Sequence, residues 1–166
     1  MSAATFAIDR CLPQRVELPA TVDELARCAA SAHAAGLAII PVGNGTQLHI
    51  GRPPARYDLA LSTRQLNHVL AHEAADMTVT VEAGVTVAAL NAALAPARQR
   101  LPLDPPHPEH TTIGALIATD ASGPLRLSNG KVRDLLIGIT VGSMTRMLRH
   151  GPHRKRPRKA KARPAI

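Results

Sequence analysis

Apolar and polar positions near the start of the chain alternate in a pattern that predicts a helix followed by a strand. Thr21 and Glu24 form a T-x-x-E capping box, and apolar residues then recur at helical spacing up to Gly36. Residues 37–42 form an apolar run of strand length, which ends in the sequence Gly-Asn-Gly-Thr at residues 43–46. We therefore predict a helix, a buried strand and a glycine-containing loop, in that order.

The rest of the chain continues this alternation with short elements and no internal repeat. We predict strands at residues 58–62, 77–82 and 135–141, a helix from Thr86 to just before Pro96, and a helix that Thr111 or Thr112 caps and that runs to about Ala118. Residues 101–108 are too rich in proline for regular structure. Alternating helices and strands of this kind predict a mixed α/β domain.

Composition excludes several classes of protein. Aromatic residues make up only 1% of the chain, so a nucleic-acid module that stacks bases on aromatic rings is excluded. No apolar run approaches the length of a membrane span, and residues 1–20 lack the pattern of a secretory signal. Two cysteines are too few for a disulfide framework, which favours a reducing, cytoplasmic compartment.

The positive charge is concentrated at one end of the chain. The formal net charge is +8, but residues 145–166 hold nine Lys and Arg and no acidic residue, so residues 1–144 are close to neutral. From Gly151 onwards the sequence is Pro-rich and highly charged, which predicts disorder. A tail of this kind either binds nucleic acid or an anionic surface by counterion release, or is a solvated extension.

Two segments of small residues have the composition of anion-binding loops. Residues 43–47 follow a buried strand, and successive N–H groups in such a turn can hold an anion. In the second segment, residues 111–123, a threonine-capped helix start is expected to leave free N–H groups at the positive end of a helix. Taken alone, the first segment is more typical of an ordinary turn, and the second is more typical of an ordinary Ala-rich helix followed by a turn. Together, about 70 residues apart, they suit the pyrophosphate of a dinucleotide.

Candidate catalytic and metal-binding groups are sparse. His107, Glu109 and His110 are residue types that bind zinc, but Pro108 prevents a ligating helix and no distant third ligand stands out, so we expect no metal site. No Ser/His/Asp or nucleophile-elbow pattern is present, and the catalytic residues stay unknown. A redox reaction on this chain would need a cofactor to supply the chemistry.

Several of these segments, in order and spacing, carry a resemblance to a known family. From Val16 to about Gly142 the chain resembles the FAD-binding domain of FAD-linked oxidases of the vanillyl-alcohol oxidase and p-cresol methylhydroxylase (PCMH) type, and within that family the FAD-binding subunit of bacterial glycolate oxidase. The segments that carry the resemblance are residues 41–47, 61–67, 78–86, 101–106, 112–124 and 130–138.

The resemblance implies an α/β (α+β) fold of two small α/β subdomains, the second of them incomplete, that together hold FAD. Because residues 43–47 contain no histidine for a covalent flavin link, it implies non-covalent FAD. The residues it implies for FAD binding are Val42, Gly43, Asn44, Gly45, Thr46, Gln47, Pro105, Thr112, Ile113, Gly114, Ala118, Thr119, Ser122, Gly123 and Val132.

The resemblance also implies a division of the chain and a set of partners. Residues 1–15 are expected to be an N-terminal extension, residues 16–142 the incomplete FAD-binding domain and residues 143–166 a basic, disordered tail. Because the similarity stops at about Gly142, we expect a truncated or frame-shifted product of a 2-hydroxy-acid oxidase, without the substrate cap and inactive alone. The implied partners are a second flavin subunit and an iron–sulfur subunit; a non-catalytic assembly subunit is the alternative.

Overall fold

The computed structural model describes residues 3–142 and 147–150. Three short 3₁₀ helices accompany the main elements, at Ala3–Phe6, Ala74–Asp76 and Ala95–Ala97. In chain order the main elements are β1 (Arg15–Glu17), α1 (Val22–Ala34), β2 (Ile39–Val42), β3 (Leu59–Ser62), β4 (Val69–Glu73), β5 (Thr78–Val81), α2 (Val87–Leu94), α3 (Ile113–Thr119), α4 (Arg126–Asn129), α5 (Val132–Leu135), β6 (Ile139–Gly142) and β7 (Met147–His150).

The N-terminal part is a three-stranded parallel sheet in the order β1-β3-β2, with α1 packed against β2 and β3. Strand β3 lies at the centre, and all four of its residues are buried. The apolar residues 59–61, flanked by the buried polar residues Asp58 and Ser62, form the pattern that predicts this strand. The prediction of this strand and of β2 is confirmed, to within two residues at each end.

Helix α1 begins and ends at the residues that the sequence indicates. The Thr21 side chain accepts a hydrogen bond from the Glu24 amide at 3.2 Å, and the Glu24 carboxylate accepts one from the amide of Ala20 at 2.8 Å. Gly36 follows the helix with φ of +65°, a conformation in which glycine has no Cβ to strain. The local capping signals therefore fix both ends of the helix.

The segment before β1 is part of the first core. Phe6 is completely buried and packs in one cluster with Val42, Tyr57 and Ala60. Burial raises the pKa of the Tyr57 phenol, because the charged phenolate is costly in this apolar cluster. The residues that the sequence assigned to an N-terminal extension, as far as they are described, thus supply a core side chain and, with Arg15, the start of β1.

Arg56, just before β3, ties together the two loops at one end of the parallel sheet. Its guanidinium pairs with the carboxylate of Asp58 and donates to the carbonyl of Gly36 at 2.6 Å. The hydrogen bond from Arg56, followed by the one from the Ala38 amide, lowers the pKa of the Asp58 carboxyl. Arg56 lies at the end of β3 opposite to the loop that follows β2.

The second part is built from the antiparallel pair β4-β5 and the helices α2 and α3. The predicted strand at residues 77–82 and the predicted helix after Thr86 are both confirmed, while β4 was not predicted. The core of this part has one cluster around Val87, Leu103 and Leu116 and another around Val85 and Leu90. Residues 101–108 contain no helix or strand, as their prolines indicated.

The C-terminal elements differ from the prediction. The expected strand at residues 135–141 is wrong in its first half, because Leu135 ends helix α5 and strand β6 begins only at Ile139. Strand β7 pairs with β6 in antiparallel register, with Ile139 opposite His150. This strand falls within the range 143–166 that the sequence assigned to a disordered tail. The predicted disorder of residues 151–166 lies outside the described residues.

Candidate functional site

The loop after β2, residues 43–47, is called the first loop from here on. It leaves the sheet at Val42, whose side chain is buried in the N-terminal core, and it is itself half-buried. Gly45 has φ of +81°, a backbone conformation that favours glycine. In residues 3–142 and 147–150 no acceptor receives a hydrogen bond from the amides of residues 44–47. Four successive donors are therefore available to a ligand.

Arg64 holds the carbonyl side of the first loop. Its Nε donates to the carbonyl oxygen of Gly43 at 3.3 Å and its Nη2 to that of Asn44 at 3.2 Å. Its guanidinium also lies over the ring of Phe6, 5.1 Å from the ring centroid. No peptide bond in the described residues is cis, so the N–H that follows each held carbonyl points the opposite way. The amides of Asn44 and Gly45 consequently face away from Arg64.

The start of α3 lies directly against the first loop. A Cβ added to Gly43 would overlap the Thr112 hydroxyl and come within 3.2 Å of its methyl carbon. The Asn44 side-chain amide donates to the carbonyl oxygen of His110 at 2.9 Å. The structure therefore brings together two of the segments that the sequence singled out, and Gly43 is the residue whose small size lets them touch.

The N-cap threonines of α2 and α3 lie side by side. Thr86 and Thr112 form an isolated antiparallel bridge, and each side chain caps its own helix. Thr112 is buried, with 1% of its surface exposed, and its backbone N–H has no acceptor within the described part of the chain. Because buried N–H groups are almost always paired, this donor beside Gly43 is a candidate contact for a ligand.

The expectation that the first turn of α3 offers free N–H groups is wrong. The Ile113 amide donates to the carbonyl of Val85 at 2.8 Å, and the Gly114 amide donates to that of Ala83 at 2.8 Å. Gly114 also lies so close to Ala83 that a Cβ would come within 2.9 Å of the Ala83 Cβ. These two donors dock the helix on residues 83–85, so they are not available to a phosphate.

Residues 118–123 sit at the far end of α3, against the proline-rich segment. Gly123 packs so tightly on Asp104 that a Cβ would overlap the Asp104 backbone, and the Asp104 carboxylate accepts from the Leu125 amide at 3.1 Å. Thr119 donates its hydroxyl to the Ala115 carbonyl, and Ser122 donates its own to that of Asp120. Ala118 is exposed. No hydrogen bond among residues 3–142 joins this stretch to the first loop.

The apolar residues of the predicted set contribute to the core. Val132 packs with Val87, Leu103 and Leu116, and Pro105 is buried. The side chains of Val42 and Val132 lie in the two core clusters, so they are not available to a ligand.

The histidine-rich segment does not form a metal centre in the described residues. The carboxylate of Glu109 lies 3.7 Å from His107 and 4.0 Å from His110, and all three side chains are more than half exposed. Across residues 3–142 no group of three or more His, Cys, Asp or Glu is placed to hold a metal ion.

Among the helices of these residues, none has both the length and the apolar character that crossing a bilayer requires.

Two features of the site were missed from the sequence. Arg64 follows the buried strand β3 by two residues, and a charged residue at that place is the only signal that indicated a role in the neighbouring loop. The carbonyls of Ala83 and Val85, which take the amides of α3, left no sequence signal because any residue type carries a backbone carbonyl.

Unpaired backbone amides in a loop at the end of a parallel strand are typical of a domain that binds an anionic ligand. The sequence pattern of a family described as the FAD binding domain matches residues 13–151. The chain belongs to this family of PCMH-type FAD-binding domains, and its cofactor is FAD. The resemblance drawn from the sequence is thereby confirmed.

The chain spans less than a third of the length of the relatives and solved structures that it matches. D-2-hydroxyglutarate dehydrogenase of Xanthomonas citri pv. viticola is 33% identical over 78% of this chain and 27% of its own length. Glycolate oxidase subunit GlcD of Bacillus subtilis is 30% identical over 78% of this chain and 28% of its own length. A solved structure of alkyldihydroxyacetonephosphate synthase shares the fold with a TM-score of 0.73 and 27% identity, covering 81% of this chain and 28% of its own chain.

Proposed function

We propose that this chain binds FAD non-covalently, with the diphosphate against the amides of residues 44–47 and against Thr112. The observation that carries the proposal is the set of unpaired N–H donors, four in the first loop and one at the buried Thr112. Oriented backbone amides are a common binding site for phosphate groups. A diphosphate placed here would satisfy donors that the described residues leave without acceptors.

The first loop offers more free hydrogen-bond donors to FAD than the start of α3 does. The first loop supplies free donors, whereas the amides of Ile113 and Gly114 are already bonded to Val85 and Ala83. The small residues of α3 therefore serve for close approach, and the grip on the diphosphate comes mainly from the first loop. Ser122 and Gly123, whose amides have no acceptor in residues 3–142, are proposed contacts for a more distant part of FAD.

The residues of the first loop support non-covalent binding. Residues 43–47 contain neither histidine nor cysteine, and His49, just beyond, is exposed. The protein would thus hold the cofactor through hydrogen bonds alone. When bound, FAD would accept the electrons of substrate oxidation. This chain's own residues would bind and orient it.

The activity, substrate and partners are proposed from the relatives. D-2-hydroxyglutarate dehydrogenase and glycolate oxidase subunit GlcD both act, by their names, on 2-hydroxy acids, so we propose that this chain serves an oxidoreductase of 2-hydroxy acids. The word subunit in the second name supports partner subunits, for which we propose a second flavin subunit and an iron–sulfur subunit. The free thiols of Cys11 and Cys28 are compatible with a cytoplasmic location.

Binding of FAD by the full chain tests the proposal. We expect the purified chain, after incubation with FAD and gel filtration, to retain flavin absorbance. We expect Gly45→Ala to raise the FAD dissociation constant at least tenfold, because a Cβ at φ of +81° is strained and lies 3.1 Å from Leu48. Fluorescence titration of FAD measures both.

Gly51→Ala is the matched control for this test. Gly51 also has positive φ, +100°, but nothing lies within 4 Å of its Cβ position and it lies outside the first loop. The control should lose similar stability and keep the wild-type affinity for FAD. A folded wild-type chain that does not bind FAD, or equal affinities of the two variants, would contradict the proposal.

A further inference from the structure

Arg64 contacts the first loop through hydrogen bonds to its carbonyl groups. It donates to two successive carbonyl oxygens, of Gly43 and Asn44, at 3.3 and 3.2 Å. Because C=O and N–H of one trans peptide group point in opposite directions, fixing these carbonyls fixes the amides of Asn44 and Gly45. Arg64 therefore controls which way the first two free donors of the loop point, and its guanidinium binds these peptide groups on the side opposite to the donors.

The guanidinium of Arg64 is itself held in place. It lies 5.1 Å from the ring centroid of Phe6, and Phe6 is completely buried in the N-terminal core. A guanidinium is planar and carries several donors at fixed angles, so a ring against its face also orients its donors. A series of contacts thus connects the core to the first loop. It runs from the Phe6 ring through Arg64 to the carbonyls of Gly43 and Asn44.

We propose that Arg64 is a positioning residue that orients the peptide groups 43–44 and 44–45, so that their amides face the diphosphate of FAD. The proposal rests on the proposed function and names the residue that sets the geometry of its site. Without Arg64 the two peptide groups are free to turn, and the donors then have to be reoriented each time the ligand binds. Arg64 thus raises the affinity for FAD without contacting it.

Arg56 provides a comparison for a purely structural role. It too is an arginine beside β3 that donates to a loop carbonyl, that of Gly36, but it lies at the opposite end of the strand. Its removal should lower stability, since Asp58 then loses its charged partner, and should leave the first loop unchanged. A difference between the two arginines in FAD binding therefore separates positioning from stability.

The experiment compares the full chain with Arg64→Met, Arg64→Lys and Arg56→Met, measuring the FAD dissociation constant by fluorescence and the folded fraction by urea titration. We expect Arg64→Met to raise the dissociation constant at least tenfold, at urea concentrations where it is fully folded. Arg64→Lys should recover part of this loss, because an ammonium can reach one of the two carbonyls. Arg56→Met should bind FAD as the wild type does.

Each outcome decides the matter. Wild-type affinity in a folded Arg64→Met, with FAD binding intact in the wild type, would overturn the positioning role and leave the proposed function standing. Equal losses in Arg64→Met and Arg56→Met would also overturn it, since they would reflect stability alone. A wild-type chain that binds no FAD would overturn both. If Arg64→Met does not fold, Arg64→Lys decides, because an affinity equal to that of the wild type would count against the proposal.

Discussion

Gly43→Ala is expected to weaken FAD binding by about tenfold to a hundredfold. The added Cβ would overlap the Thr112 hydroxyl, so the first loop and the start of α3 would have to move apart. Overpacking of this kind costs about 1–3 kcal/mol, and the movement occurs at the point where the free amides of the loop meet the buried amide of Thr112. Fluorescence titration with FAD measures the change.

The double variant Gly43→Ala/Thr112→Ala tests the cause of that loss. Removing the Thr112 hydroxyl and methyl opens the space that the new Cβ needs, so the double variant should bind FAD more tightly than Gly43→Ala alone. The Thr112 change by itself is expected to cost about 1 kcal/mol of stability, since its side chain caps α3. Additive losses in the double variant would show that the two residues do not meet.

Gly84→Ala is expected to destabilise the fold by about 3 kcal/mol, the largest effect on stability that we anticipate. Its Cβ would overlap the carbonyl oxygen of Thr63 and lie 2.7 Å from that of Leu66. Both obstacles are backbone atoms, and the Gly84 amide already donates to the Leu66 carbonyl at 2.7 Å. The segment between β5 and α2 would therefore have to leave the loop after β3. The urea concentration at half unfolding measures the effect.

Gly36→Ala is the control for Gly84→Ala. Gly36 has positive φ, +65°, and nothing within 4 Å of its Cβ position, so its replacement tests backbone strain without overlap. We expect a cost of about 1 kcal/mol for this variant. If Gly84→Ala proved no more destabilising than Gly36→Ala, the close approach of residues 63–66 to Gly84 would be incorrect.

The parts of the fold that the sequence predicted are those set by neighbours along the chain. The caps at Thr21, Thr86 and Thr112 are local, because each side chain bonds an amide three residues further on. Strand β3 was predicted from the short apolar segment at residues 59–61, and all four of its residues are buried. The first loop was recognisable from glycines that follow such a strand.

The parts that the sequence did not predict depend on distant partners. Strand β4, with a mostly exposed surface and a bulge near Val69, exists because it pairs with β5. The amides at the start of α3 look free in the sequence and are taken by carbonyls some thirty residues earlier, at Ala83 and Val85. The apolar character of residues 135–138 predicted a strand, but Leu135 ends helix α5, and residues 136–138 form no helix or strand and are exposed.

The residues of the site also divide into those that local sequence indicates and those that depend on distant contacts. Residues 43–47 and Thr112 could be proposed from composition, and the structure places Gly43 against Thr112. The contribution of Arg64 arises from a packing arrangement with Phe6 that involves residues 58 positions apart, and no local pattern reports it. Contacts made through backbone carbonyls are invisible to side-chain motifs, which is why the positioning of the loop became apparent only in three dimensions.

The central claim is that the amides of the first loop hold the diphosphate of FAD, and nuclear magnetic resonance of the ¹⁵N-labelled full chain tests it most directly. On titration with FAD, the account predicts saturable shifts that are largest for the amides of residues 44–47 and Thr112. The amides of Ile113 and Gly114, bonded to the protein, should shift less. Shifts confined to other regions, or no saturable change at residues 44–47, would contradict it.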